Sequence, residues 1–261
     1  MSAGEVTENA FLGGRLRVRQ PLKGYRAGVD PVILAASVPV RPGQSVLELG
    51  CGVGVASFCL GSRVPGVGLT GVELQPEYAA LARENAVLNG IGLEVVEADL
   101  VALPVNVKQR HFDHVIANPP YFDRAASSRA GDVGRETAMG EATPLEKWVE
   151  VAAKRLAPKG YASFIHRAER LPELLAAASR HLGSIEVLPL QPRVGREAQL
   201  VLLRARKGGR AAFRLHAPVL MHEGARHERD GESYTPQLRE VLRDGAALPF
   251  SPVSETDSEP V

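Results

Sequence analysis

From Gln44 onward the sequence alternates between two hydrophobic periods, and this constrains the fold more than any other feature of the chain. Short β-branched runs that end in Gly, Asp, Asn or Pro predict strands over Ser45–Leu49, Gly68–Leu74, Leu93–Ala98, Phe112–Ala117, Tyr161–His166, Ile185–Leu190 and Gln199–Arg204. Helical spacing of Ala and Leu predicts helices over Val55–Leu60, Pro76–Asn89, Pro144–Leu156 and Ala168–His181. Pro76 and Pro144 suit a first helical turn, while Asn89-Gly90 and Pro158-Lys159-Gly160 are stop signals. Strand and helix in alternation give an α/β fold, a mostly parallel sheet covered on both faces. No helical pattern separates the last two strands, so the seven-stranded sheet is expected to end in an antiparallel hairpin.

The flanks are less regular. Residues 1–41 precede the core, 42–207 form it, and 208–248 make an extension with a short strand expected at Phe213–Leu215 and a helix at Thr235–Arg243. The acidic, proline-containing stretch 249–261 is expected to be disordered. The polar segment Asp123–Thr143 is too long for an ordinary connection and is read as a substrate-side loop.

The 31 basic side chains nearly balance the 30 acidic ones, so any polyanionic partner must be met by a local patch. Two such patches exist: Arg15, Arg17, Arg19, Lys23 and Arg26, and then Arg193, Arg196, Arg204, Arg206, Lys207 and Arg210. Cys51 and Cys59 make neither a disulfide framework nor a metal site, and the histidines lack ligand spacing, so no metal is expected. No run of about 18 apolar residues occurs, and the N-terminus has no basic region leading into an apolar stretch. A cytoplasmic protein without a membrane segment or an evident obligate protein partner is expected.

Val46-Leu47-Glu48-Leu49 runs into Gly50-Cys51-Gly52-Val53-Gly54, a buried strand leading to a glycine turn that lets the backbone approach a ligand. The nicotinamide fingerprint needs glycine where this chain has Val55. Glu73, ending the second strand, can accept both hydroxyls of a ribose, or can be a solvated strand end. Asp99 can accept from an adenine amino group with Leu100 against the ring, or can cap a helix. The glycine turn, Glu73, Asp99 and Asn118 all fall at carboxyl ends of successive strands, where open parallel sheets bind ligands.

After the fourth strand the chain reads Asn118-Pro119-Pro120-Tyr121-Phe122, and two prolines force a turn. The Asn118 carboxamide oxygen and the Pro119 carbonyl can take the two hydrogens of a planar amino group, whose delocalised lone pair makes it a poor nucleophile needing positioning. Tyr121 can stack on a flipped base, with Phe122 as a second wall.

These residues resemble the class I Rossmann-like methyltransferases that carry an Asn-Pro-Pro-Tyr motif. The segment Gln20 to Ala35 is similar to the one preceding the core in bacterial tRNA1(Val) (adenine-N6)-methyltransferases, and similarity continues through Gly71–Glu77, His166 and Lys207-Gly208-Gly209. The resemblance implies S-adenosyl-L-methionine as cofactor, held by Tyr25, Asp30, Glu48, Gly50, Gly52, Gly54, Glu73, Leu74, Asp99, Leu100 and Asn118. It implies Asn118, Pro119, Pro120 and Tyr121 as the reacting motif. It further implies methylation of an adenine N6 beside the anticodon of a valine tRNA, with guanine N2, DNA adenine or a glutamine amide as alternative acceptors. Tyr25, Arg26 and Asp30 would fold over the methionine half of the cofactor. Family members often place an alanine-arginine pair after the motif, whereas this chain reads Ala138-Met139, so Arg129 or Arg135 would have to grip the tRNA.

Overall fold

A computed structural model describes residues 5–123, 140–141, 143–224 and 233–251. An antiparallel hairpin, β1 (Val6–Phe11) and β2 (Leu16–Pro21), precedes α1 (Asp30–Ser37). The core follows as β3 (Ser45–Leu49), α2 (Val55–Arg63), β4 (Gly68–Glu73), α3 (Pro76–Asn89), β5 (Leu93–Glu97) and β6 (Phe112–Ala117). It continues through α4 (Leu145–Arg155), β7 (Leu156–Arg167), α5 (Leu171–His181), β8 (Gly183–Gln191) and β9 (Leu200–Arg206).

The seven core strands lie in the order β8, β9, β7, β6, β3, β4, β5. Pairing is parallel from β5 to β7, and antiparallel between β7, β9 and β8, as the short final connector requires. Two-residue strands at Arg214–Leu215 and Val219–Leu220 extend the far edge, pairing with β8. The chain leaves β3 for β4 and β5 on one side and returns to β6 and β7 on the other, so β3 and β6 flank a topological switch point.

Alternation along each strand feeds two cores. Val46, Ile116, Ile165, Leu188 and Leu202 point to the face covered by α1, α2 and α3. Leu47, Leu49, Val115, Ala117, Phe164 and Leu203 point to the face covered by α4 and α5.

Three details depart from the expectations. Pro158-Lys159-Gly160 does not end an element before β7 but forms a bulge inside it, between the pairs Phe112–Leu156 and His114–Tyr161. Gly160 is needed there because a β-carbon would meet the Asp113 carbonyl at 2.8 Å. The helix expected at Thr235–Arg243 is one turn, Pro236–Arg239, that widens into a π-helical turn over Glu240–Asp244. Third, the N-terminal stretch holds the β1–β2 hairpin before its helix. Leu238, Val241 and Leu248 of the extension join the first core, and so does Phe250 from the stretch expected to be disordered; Leu248 N–H donates to Ala36 C=O. The expected loop lies outside the described residues over 124–139 and 142, and the tail outside them from 252 onward.

The hairpin docks on α3 through two asparagine side chains that act as a surrogate strand. Asn85 accepts from Arg19 N–H at 2.8 Å and donates to Arg19 C=O at 3.0 Å; Asn89 does the same for Arg17 at 2.9 and 2.8 Å. Four helical residues advance about 6 Å and two strand residues about 6.6 Å, so the two ladders match. Asn85 is fully buried and also donates to Val53 C=O, tying the hairpin to the glycine turn. Asn85→Ala leaves three backbone groups, one of them buried, without that partner, and urea unfolding is expected to show a loss of about 1–3 kcal/mol.

Candidate active site at the carboxyl ends of the parallel strands

Parallel pairing sets Leu49 opposite Val72 and Ala117, so the glycine turn, Glu73 and Asn118 leave the sheet at one level. Gly50, Gly52 and Gly54 all have positive φ, 64°, 54° and 92°. A β-carbon on Gly50 would strike Trp148 at 2.7 Å and one on Gly54 would strike Phe58 at 2.6 Å, whereas one on Gly52 would point into open space. The turn is packed from beneath and bare above, which is the form of a ligand cradle.

Glu73 ties this cradle together. Its two carboxylate oxygens accept from Gly52 N–H at 2.8 Å and Gln75 N–H at 2.9 Å. Burial raises its pKa and these bonds oppose the shift. Each oxygen keeps a lone pair that can accept a ribose hydroxyl. Glu48 lies under the turn on the α2 face, 3% exposed, and accepts from the backbone N–H and hydroxyl of Ser57. Burial pushes its pKa up to about 7, from an ordinary 4.5, against those Ser57 bonds. Glu48 thus supports the start of α2 through Oε2.

The hydrogen bonds that Glu48 and Glu73 accept all come from neutral donors. A bare cradle beside two desolvated carboxyls fits S-adenosylmethionine, which carries a sulfonium charge and a ribose diol. Leu74, 60% exposed at the end of β4, is an apolar surface beside it. Asp99 accepts from Val101 N–H at 3.0 Å and caps a short 3-10 turn, while Leu100 is buried in the second core. The capping alternative for Asp99 is therefore realised, with its second oxygen still available to a ligand.

Asn118 follows β6 beside the turn. Its Nδ2 donates to the Tyr25 hydroxyl at 3.3 Å, and its Oδ1 is buried without a protein partner. Buried acceptors are seldom left unsatisfied, and one at the end of a parallel strand beside a cradle marks a ligand contact. Pro119 is buried and Pro120 half-buried, fixing the turn that carries Tyr121. The Tyr121 hydroxyl donates to Asp30, and its ring lies 5.3 Å from His166 with the Arg167 guanidinium 5.8 Å above. Burial, then the Asp30 charge, pushes the Tyr121 pKa up, so the phenol stays protonated. His166 is neutral because burial lowers its pKa to about 4, and its Nδ1 accepts from Arg167 N–H. His114 is held at about 4 for the same first reason.

The N-terminal segment is expected to fold over the methionine half of the cofactor, and its Tyr25 and Asp30 bond to side chains of the reacting motif. Sequence spacing carries no signal for those contacts. Arg26 is engaged with Thr7, Asn9 and the Pro21 carbonyl. Arg17 and Arg19 pair with Glu8, and Arg15 with Asp244, so this first basic patch is largely occupied by hairpin contacts. In the second patch Arg204 pairs with Glu186, Arg206 donates to Lys159 C=O and Lys207 to Leu156 C=O. An open groove of about 1390 Å³ runs from Tyr121 and Asp30 past Arg167 to Pro192, Arg193 and Arg196 in the β8–β9 connection. Arg129, Arg135, Ala138 and Met139 lie outside the described residues, as does the side chain of Phe122. Among the described residues no cluster of three metal-ligating side chains occurs, and no helix is long and apolar enough to cross a membrane.

The family model described as methyltransferase small domain matches residues 28–182. A Porphyromonas gingivalis protein named tRNA1(Val) (adenine(37)-N6)-methyltransferase is 31% identical over 72% of this chain and 77% of its own length. A Haemophilus influenzae protein of the same name is 26% identical over 90% of this chain and 97% of its own. A crystal structure from Agrobacterium tumefaciens, titled a predicted O-methyltransferase, superposes with a TM-score of 0.68 at 28% identity, covering 84% of this chain and 98% of that one.

Gly52→Ala is expected to cost about 1 kcal/mol of stability from its positive φ, yet to weaken S-adenosylmethionine binding strongly in calorimetry, because the added methyl occupies the cradle and touches no protein atom. Glu48 supplies a pH test. Its folded pKa is raised, so its contribution is fully present below pH 4.5 and is lost as pH rises through about 7. Stability of the parent relative to Glu48→Gln should therefore fall across that window and level off above it in denaturation series.

Proposed function

The chain belongs to the methyltransferase small domain family, and from that premise we propose that it methylates N6 of an adenine in tRNA, next to the anticodon of a valine tRNA. The enzyme is an S-adenosylmethionine-dependent N-methyltransferase. The printed names of the Porphyromonas and Haemophilus relatives support the tRNA substrate. The buried, unpartnered Asn118 Oδ1 is the observation that carries the chemistry.

An adenine amino group brings two hydrogens and a lone pair delocalised into the ring. Asn118 Oδ1 takes one hydrogen and the Pro119 carbonyl the other, which holds the nitrogen in place and restores lone-pair density to it. Bound S-adenosylmethionine supplies the electrophilic methyl group. The amino proton becomes acidic only once nitrogen is alkylated, so water suffices to remove it. Tyr121, stiffened by Pro119 and Pro120 and backed by His166, offers a flat face to the base. An anticodon loop is a fitting source, since its bases can be splayed from the stack.

The Agrobacterium neighbour's title suggests a hydroxyl acceptor, which would need a base to take its proton. His166 cannot be that base: it is buried, its pKa is depressed to about 4 and its Nδ1 is engaged. Two acceptors beside a His166 that cannot take a proton suit an amine.

Total tRNA lacking the modification, incubated with methyl-labelled S-adenosylmethionine and digested to nucleosides, should yield labelled N6-methyladenosine. Label in a different nucleoside, or none, would refute the assignment. Asn118→Ala should lower turnover by about 10²-fold or more while leaving cofactor affinity nearly unchanged.

A further inference from the structure

We propose that Tyr25 and Asp30 are positioning residues of the reacting motif, Tyr25 setting which way the Asn118 amide faces and Asp30 setting the plane of Tyr121. This rests on the methyl-transfer reading above and adds residues that act through others.

An asparagine amide has two orientations of nearly equal shape, and only one presents oxygen to an amino group. Whatever accepts from Nδ2 decides between them. Tyr25 Oη is that acceptor, at 3.3 Å. A phenol could also donate and stabilise the wrong orientation, but here its oxygen accepts from Nδ2, so its own hydrogen is turned away from Asn118, and the nearby Asp30 charge favours that arrangement. Tyr25 is itself held from behind: the Tyr78 hydroxyl on α3 donates to its backbone C=O at 3.1 Å. Gly24 makes that reach possible, since a β-carbon there would stand 2.8 Å from the Tyr78 oxygen and its φ is +102°.

Asp30 begins α1, a helix whose residues from Pro31 to Ser37 are all buried, so its carboxylate is mounted on a rigid element. Accepting from the Tyr121 hydroxyl, it fixes the far end of a ring whose near end is fixed by the two prolines. The two bonds place Oδ1 and the stacking ring together before substrate arrives, which is where catalysis by positioning gains its rate.

The closing test compares Tyr25→Phe and Asp30→Asn with the parent in steady-state methylation of unmodified tRNA, alongside calorimetric binding of S-adenosylmethionine. Positioning predicts that Tyr25→Phe lowers kcat about tenfold, the equivalent of one hydrogen bond, with cofactor Kd unchanged. It predicts that Asp30→Asn acts mainly on the tRNA KM. Tyr25→Phe combined with Asn118→Ala should be no slower than Asn118→Ala alone. A weakened cofactor Kd with kcat intact would overturn the proposal and return both residues to the methionine half. A second readout needs no substrate: in the free protein, the side-chain amide signal of Asn118, assigned through Asn118→Ala, should move in proton–nitrogen spectra of Tyr25→Phe. An unmoved signal overturns the Tyr25 assignment. If the parent methylates no tRNA, the substrate reading fails while this spectrum still judges the clamp.

Discussion

The parallel pairing of Leu49 with Val72 on one side and Ala117 on the other is the constraint from which the site follows. It brings Gly50, Glu73 and Asn118 out of the sheet together, from segments far apart in sequence. A slip of one residue between β3 and β6 would turn every side chain of one strand to the opposite face. Val46 and Ile116 would lose the first core, Leu47 and Val115 the second. Burial on both faces therefore holds the register, and the register holds the chemistry.

The core was legible because its strands are buried on both sides and its helices on one, so each leaves a distinct period. The candidate site was legible for the same reason: ligand residues of such sheets sit where the strand period stops. Other features were harder to read. Leu16, Val18 and Gln20 alternate with Arg17 and Arg19, and the period of two, with Gly13-Gly14 ahead of it, was available as a strand signal. The arginines drew attention to charge instead. Contacts such as Asn118 with Tyr25, or Tyr121 with Asp30, leave no trace in local spacing, because each joins segments about ninety residues apart. Pro158-Lys159-Gly160 shows the limit of turn chemistry, since the same residues serve a bulge when a neighbouring strand continues alongside.

Charge is distributed by a similar logic. The arginines of the hairpin pair with Glu8, Glu84 and Asp244, and in the later cluster Arg204 pairs with Glu186 while Arg206 and Lys207 donate to backbone carbonyls of β7. Groups clustered in sequence are thus partly consumed by folding, and the groove beside Tyr121 is lined by Arg167 at the end of β7 and by Arg193 and Arg196 in the β8–β9 connection. Carboxylates follow the opposite rule. Glu48 and Glu73 are both desolvated beside the glycine turn and accept their described hydrogen bonds from neutral donors.

The asparagine ladder between α3 and β2 has a consequence for the order in which the molecule can be made. The hairpin is synthesised first, yet its outer edge finds its partners only when Asn85 and Asn89 have been added and α3 has formed. Tyr25 then waits further for Asn118. A segment made before α3 thus docks only once α3 exists, and the reacting geometry is complete only when Tyr25 and Asn118, 93 residues apart, have met.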